Sequence, residues 1–213
     1  MEVVTEPDPT PLVMIIAGTV RRSLRAPGTA GRTRGVRGTF ALRSLKDPQA
    51  VSVTLEESRI LVRRGATGAD VVITADLDLM AEPDPPKPKV SGAARHPRLA
   101  LAAAKLLEPP LGSWQSEAEK FMEFALSSPE MPRPVRVVCT DDGAERTFGA
   151  VAGEPPVLEL HGTAHRLVNA MSGSTLITQD VLDGKLQVCG SLRDLSLLTG
   201  RALAWMFGGD DID

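Results

Sequence analysis

Apolar and polar positions change period several times along the chain, and each change marks an element. Leu12, Ile15, Ile16 and Thr19 recur at helical spacing behind Thr10, a good N-cap, and Pro11, which suits the first helical position; they predict a helix over 11–25. The Gly-rich basic stretch 27–35 reads as a loop and 36–43 as a strand. Residues 49–56 and 59–64 alternate apolar and polar around Glu57-Ser58, which predicts a hairpin. Strands at 70–75 and 88–92 and a helix at 97–107 follow. Ser113 can cap a helix running to about Leu126, with Phe121, Met122, Phe124 and Ala125 on its apolar side. Beyond it, strands at 135–139 and 144–149 flank the turn Asp141-Asp142-Gly143. A strand at 156–161, short helices at 164–171 and 178–182, a strand at 185–190 and a closing helix at 192–207 complete the pattern. Hairpin-linked strands followed by helices predict an α+β protein with an antiparallel or mixed β-sheet covered by helices on one face.

The same pattern is written twice. Lys87-x-x-Val90-x-Gly92-x-x-Arg95-x-x-x-Leu99 recurs as Lys185-x-x-Val188-x-Gly190-x-x-Arg193-x-x-x-Leu197, 98 residues later, and both segments run into an apolar helix. Upstream, Val51-x-Val53 matches Val135-x-Val137 and Gly65-Ala66 matches Gly149-Ala150, both 84 residues apart. The two offsets together imply about 14 extra residues in the second copy ahead of Lys185, where the first copy holds Pro83, Pro85, Pro86 and Pro88. We expect two related lobes, 1–112 and 113–207, and an acidic tail at 208–213.

Composition narrows the chemistry. Aromatic residues make up 3% of the chain and tyrosine is missing, so the core must be built from Leu, Val, Ile, Ala and Met. The net charge is −3, yet Arg21 to Lys46 holds eight basic residues and no acidic one. Arg21, Arg22, Arg25, Arg32, Arg34 and Arg37 are candidates for contact with an anionic membrane surface, set against the plainer reading of a solvated face. Nucleic acid ranks last as a partner, because no aromatic residues interleave with these arginines. Glu2, Glu6 and Asp8 ahead of the apolar run 12–17 do not suit a signal peptide, and no apolar run reaches about 20 residues. The expectation is a soluble cytoplasmic protein.

Catalytic patterns are thin. Cys139 and Cys189 make neither a disulfide framework nor a metal motif and read as buried free thiols. His161 and His165 are four apart, but the first ends a strand and Gly162 intervenes, so one helical face for a metal is not expected. His96 before Pro97 reads as a loop histidine. Asp76-x-Asp78 after a strand reads as a helix cap rather than a catalytic pair. No cofactor, metal or catalytic residue is expected.

Two sets of motifs carry a family resemblance. They are Gly38-Thr39-Phe40-Ala41-Leu42 with Ala69-Asp70-Val71-Val72-Ile73-Thr74, and Asn169-Ala170-Met171-Ser172-Gly173 with Gly184-Lys185-Leu186-Gln187-Val188-Cys189-Gly190. Over 36–107 and 135–207 the chain resembles the sterol carrier protein type 2, or non-specific lipid-transfer, family. The resemblance implies a five-stranded sheet covered by helices, with a hydrophobic tunnel that takes fatty acyl chains, acyl-CoA, phospholipid or sterol. Against that pattern the first copy lacks the helical pair that walls the tunnel, and the second lacks the opening strand.

The expected function is therefore non-enzymatic binding or transfer of an apolar lipid-like ligand. The cavity is expected in the second copy, lined by Leu167, Met171, Leu176, Ile177 and Val181 of the inserted segment. Leu195, Leu198, Ala202 and Met206 of the closing helix face it, with Phe121 and Met122 alongside. Leu192, Leu195, Thr199, Ala202, Leu203 and Met206 form one stripe of that helix, widened by Leu198 and Trp205. The alternative is an interaction module of the same fold, its interior filled by its own side chains, that forms a homodimer or docks on an enzyme of lipid metabolism.

Overall fold

Thr10 accepts a hydrogen bond from the Val13 N–H and Pro11 opens the helix, so α1 spans Pro11–Arg25 as its spacing requires. The chain is described by a computed structural model over residues 1–26, 31, 33, 35–80, 82, 84–149 and 155–207. It divides into two compact units, Met1–Pro110 and Leu111–Asp213. Six α-helices and two mixed sheets among the described residues make the protein α+β.

The first unit sets α1 and α2 (Pro97–Leu107) on a sheet of six strands. The strands are β1 (Glu2–Thr5), β2 (Gly38–Ser44), β3 (Ala50–Leu55), β4 (Arg59–Arg64), β5 (Val71–Ala75) and β6 (Lys89–Ser91), in the order β1-β4-β3-β2-β5-β6. The β1–β4 and β2–β5 pairs are parallel and the others antiparallel. Alternate positions Val51, Val53 and Leu55, then Ile60 and Val62, turn inward to meet Val13, Ala17 and Val20 of α1 and Leu99, Ala103 and Leu106 of α2. β1 was not expected from the sequence: two valines between Glu2 and Thr5 are too short a pattern to read. Glu6 holds its end, accepting from the Arg64 N–H at 3.1 Å and Nε at 3.0 Å.

Two expectations are corrected here. Gly31 and Thr33 are helical, where the Gly-rich stretch read as a loop. Asp76 precedes a single 3₁₀ turn, Leu77–Leu79, but makes no side-chain cap to it. Asp76 and Asp78 instead grip Lys46 at 3.0 and 3.2 Å, and these carboxylates, Asp76 first, hold its ammonium above the ordinary lysine range.

The second unit has a four-stranded sheet of β7 (Val135–Cys139), β8 (Glu145–Phe148), β9 (Leu158–Gly162) and β10 (Leu186–Cys189), in the order β10-β9-β7-β8. Its helices are α3 (Trp114–Ala125, capped by Ser113), α4 (Ala164–Ser172, capped by Thr163), α5 (Ile177–Leu182) and α6 (Leu192–Phe207). β7 pairs antiparallel with β8 and parallel with β9, and β9 antiparallel with β10. Cys139 is buried, but Cys189 is exposed, against the expectation of two buried thiols. β10 is an edge strand, and alternate residues of it leave the core.

The two sheets share a register. Leu42 pairs with Ile73, and Ile73 with Val90; Val137 pairs with Leu160, and Leu160 with Val188. Thus β2, β3, β5 and β6 correspond to β7, β8, β9 and β10. Bonds at the strand ends agree: Ser44 N–H to Gln49 O at 2.9 Å matches Cys139 N–H to Ala144 O at 2.8 Å, and Leu45 N–H to Ala75 O at 2.9 Å matches Thr140 N–H to Gly162 O at 2.8 Å. Val90 and Val188 occupy equivalent positions, as the 98-residue offset requires.

The 84-residue offset does not survive. Val51 and Val53 lie in β3, whereas Val135 and Val137 lie in β7, the counterpart of β2. The second unit therefore keeps the opening strand and lacks a counterpart of β4. Leu160 stands 87 residues after Ile73 and Val188 98 after Val90, so its insertion is 11 residues, not 14. α4 and α5 occupy that insertion, while Pro85, Pro86 and Pro88 lie outside any helix or strand.

Candidate functional site

The insertion of the second unit folds through two local stop signals. Met171-Ser172-Gly173 ends α4, because Gly173 takes the left-handed conformation (φ 73°) and the Ser174 N–H returns to the Asn169 carbonyl at 2.8 Å. Gly184, at φ 69°, turns the chain out of α5, and the Lys185 N–H closes on the Asp180 carbonyl at 2.8 Å. From ahead of α5 the Thr175 hydroxyl donates to the buried Asp180 carboxylate at 2.6 Å. Lys185 bonds Asp183 at 3.1 Å and, with Gln179, keeps that carboxyl below its usual range.

These stops deliver the expected apolar residues into one cluster. Phe121 and Met122 from α3, Leu167 and Met171 from α4, Ile177 from α5, and Leu198 and Ala202 from α6 pack with Val135, Val137, Leu158, Leu160 and Leu186 of the sheet. Val181 and Leu195 are half-buried at its edge, Leu176 is half-buried ahead of α5, and Met206 is buried near the end of α6. Leu192 does not join the stripe predicted for α6 and is 85% exposed; the buried line runs through Leu198, Ala202 and Met206.

Phe121, Met122, Leu167, Met171, Ile177 and Leu198 each keep 1% or less of their surface. A side chain bordering a void large enough for water would retain accessible surface. No water-sized void therefore borders these six, and the cluster is closed around them.

Polar ties fasten the C-terminal half of α6 over the cluster. Trp205 Nε1 donates to the Met171 carbonyl at 2.9 Å. Arg201 donates to the Phe124 carbonyl at 2.9 Å, with its guanidinium 4.1 Å from the centre of the Phe124 ring.

His161 and His165 sit on different elements. His161, on β9, lies 3.0 Å from Glu159, and His165, on α4, lies 3.0 Å from Asn169. Among the described residues no group of three or more His, Cys, Asp or Glu is placed to hold a metal ion. None of their helices is long and apolar enough to cross a membrane.

Four of the basic residues singled out in the sequence, Arg21, Arg22, Arg25 and Arg37, lie among the described residues. Arg21 donates to the Val3 carbonyl at 3.2 Å, Arg22 to Thr19 at 3.0 Å, and Arg37 pairs with Glu57 at 3.0 Å. Arg25 is exposed at the end of α1, and Arg32 and Arg34 lie outside the described residues. Sequence reasoning missed the company Arg37 keeps. It lines a cleft with Arg95, His96 and Arg98, which begin α2 about sixty residues later. The repeated Gly-x-x-Arg at Gly92–Arg95 was the one signal available for that cleft. No protein-family model and no curated protein matches this chain.

Proposed function

We propose that the second unit binds an apolar, lipid-like ligand without catalysing a reaction, as its resemblance to the sterol carrier protein type 2 family implies. The convergence of apolar side chains from four helices over one sheet carries this reading. Met122 and Met171 stand within the cluster, and thioether chains repack around different shapes more readily than branched ones.

Because the cluster is closed, a ligand must displace core contacts to enter. Burying a sixteen-carbon chain gains about 12 kcal/mol, at ~0.8 kcal/mol per methylene. Micromolar affinity needs about 8 kcal/mol. The opening of the cluster must then cost no more than about 4 kcal/mol, less than the stability of an ordinary domain. The half-buried rim of Leu176, Val181 and Leu195 is the part that yields with least loss.

The closed packing also favours the second reading, an interaction module whose interior is filled by its own side chains. Leu182 and Leu192, at 82% and 85% exposure, are the apolar groups it would use toward a second copy or an enzyme of lipid metabolism. Titration with a fluorescent fatty acid and with acyl-CoA separates the two. Trp114 and Trp205, the chain's only tryptophans, both sit in the second unit, so excitation at their wavelength reports from there. Saturable quenching at micromolar ligand supports the carrier. Its absence, with a dimer at the same concentration, leaves the interaction module.

A further inference from the structure

We infer that the first unit carries a binding site for a phosphoryl group, in the cleft between Gly35–Arg37 and the start of α2. The cleft measures about 340 Å³ and is open to solvent. Arg37, Arg95, His96 and Arg98 line it with Gly35, Val36, Pro97 and Leu99, and among the described residues no acidic one does. Three arginines and a histidine around one hollow favour an anion there, and the planar donor fork of a guanidinium matches phosphate oxygens two at a time.

Existing partners do not use up this charge. Among the described residues, neither Arg95 nor Arg98 has a carboxylate within ion-pair distance. Arg37 pairs with Glu57, but both side chains are mostly exposed, at 68% and 84%, where such a pair is weak and readily exchanged. Asp70 lies beside Gly38 and Leu99, and its Oδ2 already accepts from the Thr39 N–H at 2.9 Å.

The backbone adds donors of the same sign. α2 is 11 residues long, its N-cap His96 makes no side-chain cap, and Pro97 at the first position has no N–H to spend. Arg98 and Leu99 line the cleft, and their N–H groups, in the first turn, have no acceptor inside the helix. The second unit treats the start of α6, which comes three residues earlier in the repeat, differently. There Ser191 accepts from the Asp194 N–H at 3.1 Å, and its hydroxyl donates to the Asp194 carboxylate at 2.6 Å. The residues 98 positions earlier are Ala93 and His96. The acid that closes this corner in the second unit is replaced by a base in the first.

This site belongs to the first unit and does not rest on the lipid reading. A phosphoryl group reaches it either on a soluble compound or on a lipid headgroup. The experiment uses the full chain, inorganic pyrophosphate by calorimetry, and sedimentation with vesicles of phosphatidic acid or of phosphatidylcholine alone. Arg95→Gln/Arg98→Gln is compared with Arg63→Gln/Lys105→Gln, which removes the same charge from exposed positions on β4 and in the last turn of α2. We expect the cleft pair to weaken binding tenfold or more and the control pair to change it less than twofold. Pyrophosphate binding without vesicle binding assigns the site to soluble phosphoryl compounds. Phosphatidic acid binding that is lost in the cleft variant assigns it to a headgroup. Equal losses in the two variants, or no binding of either probe by the unaltered chain, overturn the inference.

Discussion

Gly92 is pressed against the backbone of Asp70: a Cβ added to it would stand 2.0 Å from the Asp70 carbonyl oxygen and 3.3 Å from the Val71 Cα. Its counterpart Gly190 meets Val157 O at 3.0 Å and the Leu158 Cα at 3.4 Å. Both glycines leave the last strand of their sheet and hold positive φ, 81° and 155°. The repeated glycine of the sequence thus marks one physical need, a close crossing of two backbones.

That crossing is tighter in the first unit, and the substitutions should rank accordingly. Gly92→Ala should cost about 3 kcal/mol or more, since the clash is with immovable backbone and adds to left-handed strain. Gly190→Ala should cost about 1–2 kcal/mol, because its nearest neighbour is the movable Leu158 side chain at 2.8 Å. Urea unfolding followed by circular dichroism gives both values, and a larger loss in Gly190→Ala would contradict the ranking.

Ser23 joins α1 to the end of α2. It is fully buried, and its hydroxyl donates to the Leu106 carbonyl at 2.8 Å, an acceptor in the final turn with no intrahelical donor. Ser23→Ala should lower stability by about 1–2 kcal/mol, the usual effect of stranding a buried carbonyl. Ser23→Thr keeps the hydroxyl but adds a methyl group at a site with no surface left, so it should not restore the full value. A loss below about 0.3 kcal/mol in Ser23→Ala would show that the bond contributes nothing net.

Trp205 contributes to the second unit in two separable ways. Its N–H reaches the Met171 carbonyl, and its ring stands 5.2 Å from Phe124 and 6.4 Å from Phe121, centre to centre. Trp205→Phe keeps a ring and drops the donor, and should cost about 1–2 kcal/mol. Trp205→Ala loses both and should cost about 3–5 kcal/mol. Equal losses in the two would mean that the hydrogen bond, not the ring, carries the effect.

The sequence made the elements legible where a chemical signal accompanied the period. Thr10 with Pro11, Ser113, and Asp142-Gly143 each mark an end that the structure keeps. The 98-residue offset was legible because Gly92 and Gly190 cannot be exchanged for other residues without the clash described. The 84-residue offset misled because Val-x-Val recurs in any half-buried strand: a period of two says which face a residue takes, not which strand it belongs to. Strand identity came only from pairing, with Leu42 opposite Ile73 and Val137 opposite Leu160. The apolar cluster was foreseen through the helical spacing of its side chains, while the cleft was not. Arg37 and Arg95 come to line one hollow only through the tertiary placement of Gly35–Arg37 beside the start of α2.

Met171 offers the sharpest test of the carrier reading, because enlarging and shrinking it should act in the same direction on stability and in opposite directions on binding. It is fully buried, at the centre of the cluster. Met171→Trp overpacks the site at a cost of about 1–3 kcal/mol and leaves less room for an acyl chain, so fatty-acid binding should vanish. Met171→Ala leaves a void at a cost of about 2–5 kcal/mol, but it also removes atoms that a ligand must otherwise push aside. If opening the closed cluster limits affinity, Met171→Ala should bind a fluorescent fatty acid several-fold more tightly than the unaltered protein. Leu198→Trp, entering from α6, should repeat the effect of Met171→Trp. Thermal melting on the same samples confirms that each variant is folded at the titration temperature. Two variants that lose stability while neither changes binding would place the ligand elsewhere and remove the cluster from the proposal.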